Sequence, residues 1–284
     1  MSNMRLVIRD RIFDWGTRTY LMGILNVTPD SFSDGGQFNS VETALNQART
    51  MIAQGADMID VGGESTRPNA DQVAVEEELA RVIPVIEKIR SESSIPISID
   101  TTKATVAQQA VVAGADIVND ISGATFDPSM LSTVAKLQVP LILMHIRGNP
   151  QTMQSLTDYQ DVVKEVIAFL KSRIAHVIDL GIARENIIID PGIGFAKTAT
   201  QSLELLQRLP ELQTLQLPML VGVSRKSFMK PIIHKKEPQE RVWGTAAACY
   251  GAICRGADIL RVHDVKEMSD ICRVADAIER NIIR

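Results

Sequence analysis

The sequence lacks the features that place a chain in a membrane or outside the cell. No apolar run approaches the length of about 18 residues that a membrane-spanning helix needs, and residues 1–14 carry charges throughout instead of the apolar core of a secretory signal. The three cysteines, Cys249, Cys254 and Cys272, are odd in number and match no metal-binding spacing. Because they do not suit a disulfide framework, we expect a reducing compartment and a cytoplasmic protein.

The chain also lacks a surplus of positive charge. Lysine and arginine number 30 against 34 aspartate and glutamate, which gives a net charge of −4. This balance provides no general attraction for nucleic acid or for an anionic membrane, so we expect neither as a partner, and any phosphate binding must be local. No low-complexity tract or linker divides the 284 residues, of which 45% are hydrophobic. We therefore expect a single domain with a large core over residues 1–284.

Apolar runs and helix-like segments alternate along the chain. The runs are nearly continuous and rich in β-branched residues, which is typical of strands buried on both faces of a parallel sheet. They lie near 21–27, 57–61, 95–99, 116–119, 139–144, 186–189, 218–223 and 257–262. The helix-like segments lie near 40–53, 74–91, 103–112, 128–137, 159–180, 200–208, 239–254 and 265–282. Residues 5–20 precede this alternation and predict a short β-hairpin.

Three of the joints between helix and strand repeat the same pattern. Residues 54–57, 113–116 and 255–258 each contain Gly-Ala-Asp, and glycine there suits the left-handed C-cap of a helix that leads into a short loop. Eight strands, eight helices and repeated joints predict an α/β fold, namely a (β/α)8 TIM barrel preceded by the hairpin. A doubly wound open sheet is the alternative. No Gly-x-Gly-x-x-Gly fingerprint follows the first strand, which argues against it.

Polar side chains follow nearly every predicted strand. The carboxyl ends of the strands of a barrel meet at one mouth, and burying so many polar groups is costly unless they share a cavity there. Ser224-Arg225-Lys226 brings two cations to this face after the seventh run. The other polar residues at strand ends include Asn26, Thr66, Arg67, Asp100, Asn119, Asp190, Arg261 and His263. The sequence therefore predicts a polar site at the mouth of the barrel.

The types of side chain indicate the ligands of this site. Positive charge and donors for an anion such as pyrophosphate come from Arg67, Lys226, Arg261 and His263. Asn26 offers an amide oxygen that suits Mg²⁺ held mainly by substrate phosphates and water. The short acceptors and amides that can read the edge of a flat nitrogen heterocycle are Asp100, Asn119 and Asp190. Two loops rich in small residues, 28–39 and 63–72, are expected to close over the substrate and exclude water.

Five segments of the chain resemble the signature motifs of the dihydropteroate synthase family. They are residues 22–36, 62–68, 190–195, 224–227 and 261–265, which occur in the order expected for that family. The resemblance implies a homodimeric (β/α)8 transferase of folate biosynthesis. Such an enzyme condenses 6-hydroxymethyl-7,8-dihydropterin pyrophosphate with p-aminobenzoate, releases pyrophosphate, uses Mg²⁺ and is the target of sulfonamides.

The resemblance also implies a role for each motif residue. The residues that it implies for catalysis are Asp100, Lys226, Arg261 and His263. The pterin pocket would contain Asp100, Asn119, Met144, Asp190, Phe195, Gly222 and Lys226. Pyrophosphate would be bound by Asn26, Thr66, Arg67, Arg261 and His263, with Mg²⁺ at Asn26. The p-aminobenzoate site would be formed by Phe32, Thr66, Arg67, Pro68, Lys226 and Ser227.

The mechanism that we expect is a dissociative substitution, in which the C–O bond to pyrophosphate is largely broken before the arylamine attacks. Asp100 would then stabilise the positive charge that develops on the pterin methylene. Three alternatives remain open at this point: a pterin-dependent methyltransferase, a Schiff-base aldolase with Lys226 as nucleophile, and a non-catalytic pterin-binding relative.

Overall fold

The computed structural model describes residues 4–28, 37–68 and 70–282. The strands are β1 (Arg5–Ile8), β2 (Arg11–Asp14), β3 (Tyr20–Asn26), β4 (Met58–Gly62), β5 (Ile97–Asp100), β6 (Ile117–Asp120), β7 (Leu141–Met144), β8 (Ile187–Asp190), β9 (Leu220–Val221) and β10 (Ile259–Val262). The α-helices are α1 (Gln37–Ala53), α2 (Val75–Glu92), α3 (Ala104–Ala113), α4 (Met130–Leu137), α5 (Val162–Asp179), α6 (Ala199–Gln207), α7 (Lys230–Ile233), α8 (Val242–Ile253) and α9 (Val265–Arg280). Short 3₁₀ helices cover Met153–Ser155, Arg184–Asn186, Leu209–Leu215, Ser227–Met229 and Pro238–Arg241.

Eight parallel strands form the barrel, in the order β8-β7-β6-β5-β4-β3-β10-β9. The two ends of this order meet where Ile189 bridges Met219 and the Ile189 N–H donates to the Pro218 carbonyl at 3.0 Å. The strands β1 and β2 form a separate antiparallel hairpin, with Arg5 opposite Asp14. The predicted (β/α)8 barrel with an N-terminal hairpin is thus confirmed, and the open sheet is excluded.

The two faces of the strands belong to two apolar cores. Outward side chains such as Leu25, Val61 and Ile99 pack against the helices. Inward side chains near the amino ends of the strands fill the barrel interior, and the hairpin packs beneath them. This inner core contains Leu6, Ile8, Phe13, Tyr20, Met22, Met58, Ile117, Ile142, Ile188, Leu220 and Ile259. Burial on both faces explains why the runs lack polar alternation, and the hairpin closes the end of the barrel opposite the mouth.

The repeated joints also have the predicted conformation. Gly55, Gly114 and Gly256 adopt φ values of 100°, 120° and 93°, which residues with a side chain rarely reach. The aspartate two positions later accepts a backbone N–H from the start of a neighbouring strand or from the residue just before it. The pairs are Asp57 with Leu21 (2.8 Å), Asp116 with Ile97 (2.9 Å) and Asp258 with Met219 (3.0 Å). Each repeat therefore ends a helix and ties the next strand to its neighbour.

Some boundaries differ from the predicted ones for local reasons. Helix α5 begins at Val162 rather than near 159, because the Asp161 side chain accepts the N–H groups of Val163 and Lys164 and so caps the helix. Strand β9 has only two residues of the run 218–223, since the chain leaves the sheet at Gly222. In the part of the chain that the structure describes, no helix has the length and apolarity to span a membrane.

Candidate active site

The predicted polar residues of several strands lie side by side inside the mouth of the barrel. In the sheet register Asp100 pairs with Asn119, and Met144 pairs with Asp190. Asn119 also pairs with Ile142 and Arg261 with Met22, and both of these apolar partners belong to the inner core. Because paired residues point to the same face of a sheet, the polar side chains project inward above this core.

Arg261 joins the carboxylates of two other strands. Its Nε donates to Asp60 Oδ2 and its terminal Nη2 to Asp100 Oδ2, both at 2.6 Å. Asn119 Nδ2 donates to the same Asp60 oxygen at 3.2 Å. Asp60 was not among the predicted site residues, although a carboxylate in the middle of the apolar strand β4 is a signal that the sequence contained. It is fully buried, and its Oδ1 has no partner among the described residues. An N–H of a ligand would satisfy this oxygen.

Burial changes the ionisation of Asp100. The cost of desolvating its carboxylate raises the pKa to about 7, against the opposing attraction of Arg261 and with a further increase from Asp60. Two carboxylates therefore share one guanidinium in a site that is largely removed from water. Such a cluster has an excess of negative charge, so it stabilises positive charge placed beside it.

Asp190 holds the turn that follows strand β8. Its Oδ1 accepts the Gly192 N–H at 2.7 Å, and burial raises the pKa of the carboxyl above its usual range. The turn places the Phe195 ring below Lys226, whose Nζ lies 4.0 Å from the ring centroid. Burial and the nearby Arg261 lower the pKa of Lys226 to about 8. At neutral pH Lys226 is therefore a cation that stacks on an aromatic face.

An apolar wall completes this part of the site. Met144 and Phe195 were predicted to form it, and they pack in one buried cluster with four further side chains. The four are Ile121, Ile146, Met153 and Ala196. Gly222 keeps space open beside Arg261, since among the described residues, apart from its chain neighbours, a Cβ built there would meet only the Arg261 Cβ, at 4.0 Å. A slot with apolar walls and polar groups at its end suits a flat heterocycle.

His263 is held by Ser224 at the end of strand β10. The His263 backbone N–H donates to Ser224 Oγ at 3.1 Å, and this oxygen lies 3.0 Å from His263 Nδ1. Burial, together with Arg225 and Arg261, lowers the pKa of the imidazole to about 3. His263 is therefore neutral without ligand, so it offers hydrogen bonds but not the positive charge that the sequence suggested.

Arg225 also differs from expectation. It adopts a left-handed φ of 58°, and its guanidinium binds the Asp264 carboxylate through Nε at 3.0 Å and Nη2 at 2.5 Å. Its charge is thus neutralised within the protein. Of the two neighbouring cations, Lys226 is the one left to meet an anion.

The loop after strand β4 lies at the rim of the site. Thr66 is half-buried, Arg67 and Pro68 are exposed, and Ser227 lies exposed at the start of a 3₁₀ helix. Within the described ranges Arg67 enters no ion pair. A cleft opens between this loop and the strand ends, and Thr66 and Asp100 are among its lining residues. Phe32 and most of the other predicted loop, residues 29–36, lie outside the described residues.

The loop is attached to the barrel through a lysine. Lys103, just after strand β5, donates to the carboxylates of Glu64 and Glu78, the second at 2.5 Å. Glu64 lies in the loop and also accepts the Val73 N–H at 3.2 Å, while Glu78 on helix α2 is fully buried. Burial raises the pKa of Glu78 above its usual range. Glu64 thus anchors the loop, through Lys103, to the buried Glu78.

Asn26 is the candidate metal ligand. The side-chain space at Gly62 faces both Asn26 Oδ1 and Asp100 Oδ2, since a Cβ built on this glycine would lie 3.9 Å and 3.7 Å from them. Among residues 4–28, 37–68 and 70–282 no three His, Cys, Asp or Glu side chains group together as a metal site. A single amide oxygen beside an open space fits a cation that the substrate itself mainly coordinates.

The barrel with its buried carboxylate, amide and arginine pocket belongs to a known class, because the family model of pterin binding enzymes matches residues 22–263. A dihydropteroate synthase from Synechocystis is 59% identical over 275 residues, which are 97% of this chain and 95% of the relative. A Yersinia pestis dihydropteroate synthase, solved with a sulfonamide drug complex, superposes with a TM-score of 0.92 at 41% identity, covering 98% of this chain and 100% of the other. The Xanthomonas albilineans enzyme in complex with 7,8-dihydropteroate gives a TM-score of 0.87 at 42% identity, covering 96% and 98%. The chain therefore belongs to the dihydropteroate synthase family of pterin-binding enzymes.

Proposed function

We propose that this protein condenses 6-hydroxymethyl-7,8-dihydropterin pyrophosphate with p-aminobenzoate to give 7,8-dihydropteroate and pyrophosphate. It is then a transferase of folate biosynthesis and a sulfonamide target. The observation that carries the proposal is the buried network in which Arg261 joins Asp60 and Asp100, with Lys226 4.0 Å from the Phe195 ring. Such a site binds a nitrogen heterocycle and places cations beside it.

The pterin ring fits the slot between the apolar wall and Gly222. Asp100, Asn119 and Asp190 supply acceptors and an amide at the end of the slot, and Lys226 supplies a donor from above. Met144 and Phe195 form its apolar faces. The unpartnered Oδ1 of Asp60 provides one more acceptor for a ring N–H. Burial supports this pose. A ring N–H that enters the slot loses its hydrogen bond to water, and a hydrogen bond to one of these acceptors replaces it.

The pyrophosphate group extends toward the rim, where Thr66, Arg67, Arg261 and His263 surround it. We propose that Asn26 would hold Mg²⁺ through its amide oxygen. When bound, it supplies positive charge that makes pyrophosphate a better leaving group. Among the described residues Arg67 enters no ion pair, whereas Arg261 divides its donors between two carboxylates and the anion.

The chemical step is a dissociative substitution in this proposal. Cationic side chains hold the leaving group as the C–O bond breaks, and positive charge builds on the methylene and the pterin ring. The excess negative charge of Asp60 and Asp100 stabilises that cation in a site with little water to screen it. The arylamine then forms the C–N bond and loses a proton.

The p-aminobenzoate site lies at the rim, between the loop after strand β4 and the 3₁₀ helix after Lys226. Its residues in this proposal are Phe32, Thr66, Arg67, Pro68, Lys226 and Ser227. Arg67 and the Ser227 hydroxyl suit the carboxylate, and Pro68 supplies an apolar surface for the ring. A sulfonamide presents the same arylamine with a polar group in place of the carboxylate, so the same residues would hold it.

One observation favours a rival activity. Burial lowers the pKa of Lys226, which is a property of Schiff-base lysines. The same lysine lies over the Phe195 ring, however, and a cation–π contact stabilises the protonated amine rather than the neutral amine that a Schiff base requires. Trapping with borohydride in the presence of a carbonyl substrate would label Lys226 in an aldolase and leave it unmodified in a synthase.

The test of the proposed function is pyrophosphate release by the purified protein. The pterin pyrophosphate and Mg²⁺ are supplied with and without p-aminobenzoate, and the product is identified by mass spectrometry. We expect release that depends on the arylamine and yields dihydropteroate. Tight pterin binding without release would instead favour a methyltransferase or a non-catalytic relative.

We also propose that the protein is a cytoplasmic homodimer. Its three cysteines are free thiols, which suits a reducing compartment. Helices α8 and α9 pack together and expose several large apolar side chains, which suits an interface between copies. These side chains are Trp243, Tyr250, Val274 and Ile278.

A further inference from the structure

A buried lysine lies behind the wall of the pterin pocket. Lys197 is only 3% exposed, and its ammonium makes three contacts: His145 Nδ1 at 2.9 Å, the Gly192 carbonyl at 3.0 Å and the Phe195 carbonyl at 2.9 Å. In the described part of the chain no carboxylate forms an ion pair with it. A buried lysine without a counter-ion is costly, and burial lowers the pKa of Lys197 to about 7. Because burying this lysine is costly, we expect a role for the contacts that its ammonium makes.

The turn that Lys197 binds has a demanding conformation. Gly192 and Gly194 adopt φ values of 68° and 81°, and Ala196 adopts 49° although it has a side chain. The turn also packs closely on strand β7, because a Cβ on Gly192 would lie 2.0 Å from the His145 carbonyl oxygen. Such a conformation persists only where the surrounding contacts fix it. The two carbonyl groups bound to Lys197 supply such contacts across the turn.

His145 provides the third contact from a separate strand end. Its ring is 2% exposed and stands edge-on to Phe169, with the ring centroids 5.0 Å apart. Burial, together with the nearby Lys197 and Arg147, lowers the pKa of the imidazole to about 2. Neutral His145 therefore accepts at Nδ1 and carries its proton on Nε2. Lys197 thus ties the turn after β8 to the residue that follows Met144.

The turn that Lys197 binds contains one residue of the pterin pocket and is in contact with another. The turn contains Phe195, whose ring lies 4.0 Å below Lys226 Nζ, and a Cβ on Gly194 would lie 3.4 Å from Lys226 Cδ. A shift of the turn would therefore move both the apolar wall and the cation above it. We propose that Lys197 is a positioning residue for the pterin pocket, and that it fixes Phe195 and Lys226 through its bonds to His145 and the turn. This inference rests on the proposed function.

The test compares variants at both ends of the Lys197–His145 contact. In Lys197→Met the side chain keeps its approximate length and loses all three donors. We expect the dissociation constant for 6-hydroxymethyl-7,8-dihydropterin pyrophosphate, measured by calorimetry with Mg²⁺, to rise about tenfold or more, as the loss of a charge-assisted bond predicts. Lys171→Met, which removes an exposed lysine of helix α5, is the matched control and should bind as the wild type does.

The second pair of variants separates positioning from a general effect on folding. His145→Asn retains an acceptor near the Nδ1 position, whereas His145→Leu removes it at similar size. We expect Asn to keep pterin affinity near that of the wild type and Leu to lose it as Lys197→Met does. If Lys197→Met does not fold, this pair decides. Lower thermal stability with unchanged affinity in Lys197→Met and His145→Leu would overturn the inference.

The outcomes for this inference and for the proposed function can be told apart. If the wild type binds no pterin pyrophosphate, the proposed function fails and the inference fails with it. If the wild type binds and turns over while both loss variants bind equally well, the inference alone is wrong. Weaker binding in both loss variants, with Lys171→Met and His145→Asn unchanged, supports it.

Discussion

Arg261 shows how a single side chain can set the charge of a whole site. It lies on β10, which is adjacent to neither β4 nor β5 in the sheet, and it binds both Asp60 of β4 and Asp100 of β5 at 2.6 Å. Its guanidinium compensates one carboxylate fully, while the second stays partly uncompensated. The raised pKa of Asp100 expresses that imbalance. A substrate that gains positive charge during the reaction compensates this excess negative charge. In a dissociative mechanism the site would therefore bind the transition state more tightly than the substrate.

The first prediction tests this role at Asp100. Asp100→Asn keeps the shape and a hydrogen-bonding group, so we expect pterin affinity to fall much less than turnover. We expect kcat to fall about 100-fold or more, as for the removal of one stabilising group from a transition state. Because only the ionised carboxylate stabilises a cation, wild-type kcat/KM should rise as the pH increases through about 7, and the variant should lack this rise. Steady-state kinetics and pterin calorimetry measure both effects.

The matched control is Asp179→Asn, which alters an exposed aspartate at the end of helix α5. It should change neither kcat nor affinity. Equal losses of turnover and of pterin affinity in Asp100→Asn would show that the carboxylate binds substrate and transition state alike. The proposed stabilisation of a cation would then be wrong.

The site residues differ in how well a sequence reveals them. Asp100, Asn119 and Asp190 stand at the ends of apolar runs, so the topology of a barrel is enough to bring them together. Asp60 lies within a run, where an isolated carboxylate is a signal in the sequence, but its contacts with Arg261 and Asn119 become visible only in the structure. Lys197 is hidden for another reason. Its partners are carbonyl groups of its own turn and one imidazole, and these contacts depend on left-handed backbone conformations that a residue pattern does not encode.

At the scale of elements, the N-terminal hairpin covers the end of the barrel opposite the site. Phe13 is 1% exposed and packs with Tyr20 and Trp15, at ring-centroid distances of 4.9 Å and 5.6 Å. We predict that Phe13→Ala lowers the free energy of unfolding by about 3–5 kcal/mol, the usual cost of emptying a buried phenylalanine site. KM for both substrates should stay unchanged, because the hairpin does not reach the mouth. Urea unfolding and steady-state kinetics test these two statements.

The hairpin itself offers the control. Ile12 precedes Phe13 on the same strand and is 61% exposed, so Ile12→Ala removes an apolar side chain without opening a cavity. We expect a change within about 0.5 kcal/mol. Similar losses in both variants would mean that the hairpin contributes through its surface and not as a seal on the inner core.

The loop after strand β4 is the second element whose behaviour can be predicted. Its anchor is Glu64, which Lys103 binds together with the buried Glu78. Glu64→Ala removes this anchor and leaves the pair of Lys103 and Glu78 intact. We predict that KM for p-aminobenzoate rises about tenfold, as expected for one lost charge-assisted bond, while the pterin dissociation constant stays the same. Kinetics with each substrate varied in turn measure this difference.

Asp71 is the natural comparison, since it is an exposed carboxylate of the same loop and enters no ion pair among the described residues. Asp71→Ala should leave KM for p-aminobenzoate unchanged. If Glu64→Ala also leaves it unchanged, the anchor does not shape the site of the second substrate. An equal loss of pterin affinity would instead place the effect of the anchor in the pterin pocket.

The strands and the repeated joints of the fold were predictable to a greater extent than its short irregular segments. Each of the eight apolar runs became a barrel strand, because burial on both faces leaves a signal in every residue. The 3₁₀ helix Leu209–Leu215 was not predicted, since Pro210 and the left-handed Gln216 that ends it determine its course locally. The shortness of strand β9 has a similar cause, as the bonds of Arg225 to Thr245 and Asp264 draw the chain out of the sheet.

At the scale of the whole molecule, the surface raises the question of what covers helices α8 and α9. Trp243 and Tyr250 lie seven residues apart on α8, and Val274 and Ile278 lie four apart on α9, so each pair shares one helix face. Trp243, Val274 and Ile278 are 75%, 60% and 59% exposed. Exposing apolar side chains of this size to water is unfavourable. Two copies of the same surface can cover each other around a two-fold axis.

The last prediction follows from that surface. The wild type should sediment at about twice the mass of the chain at micromolar concentration, because a stable interface of standard size buries roughly 800 Å² on each partner. The double variant Val274→Lys/Ile278→Lys brings four charges into the interface of a dimer, where they repel and lose water, so we expect it to sediment as a folded monomer. Val112→Lys is the comparison, since Val112 is 75% exposed on helix α3, which packs against α2 and α4 instead. A wild type that is monomeric, or a Val112→Lys variant that dissociates as the double variant does, would show that the face formed by α8 and α9 is not the interface.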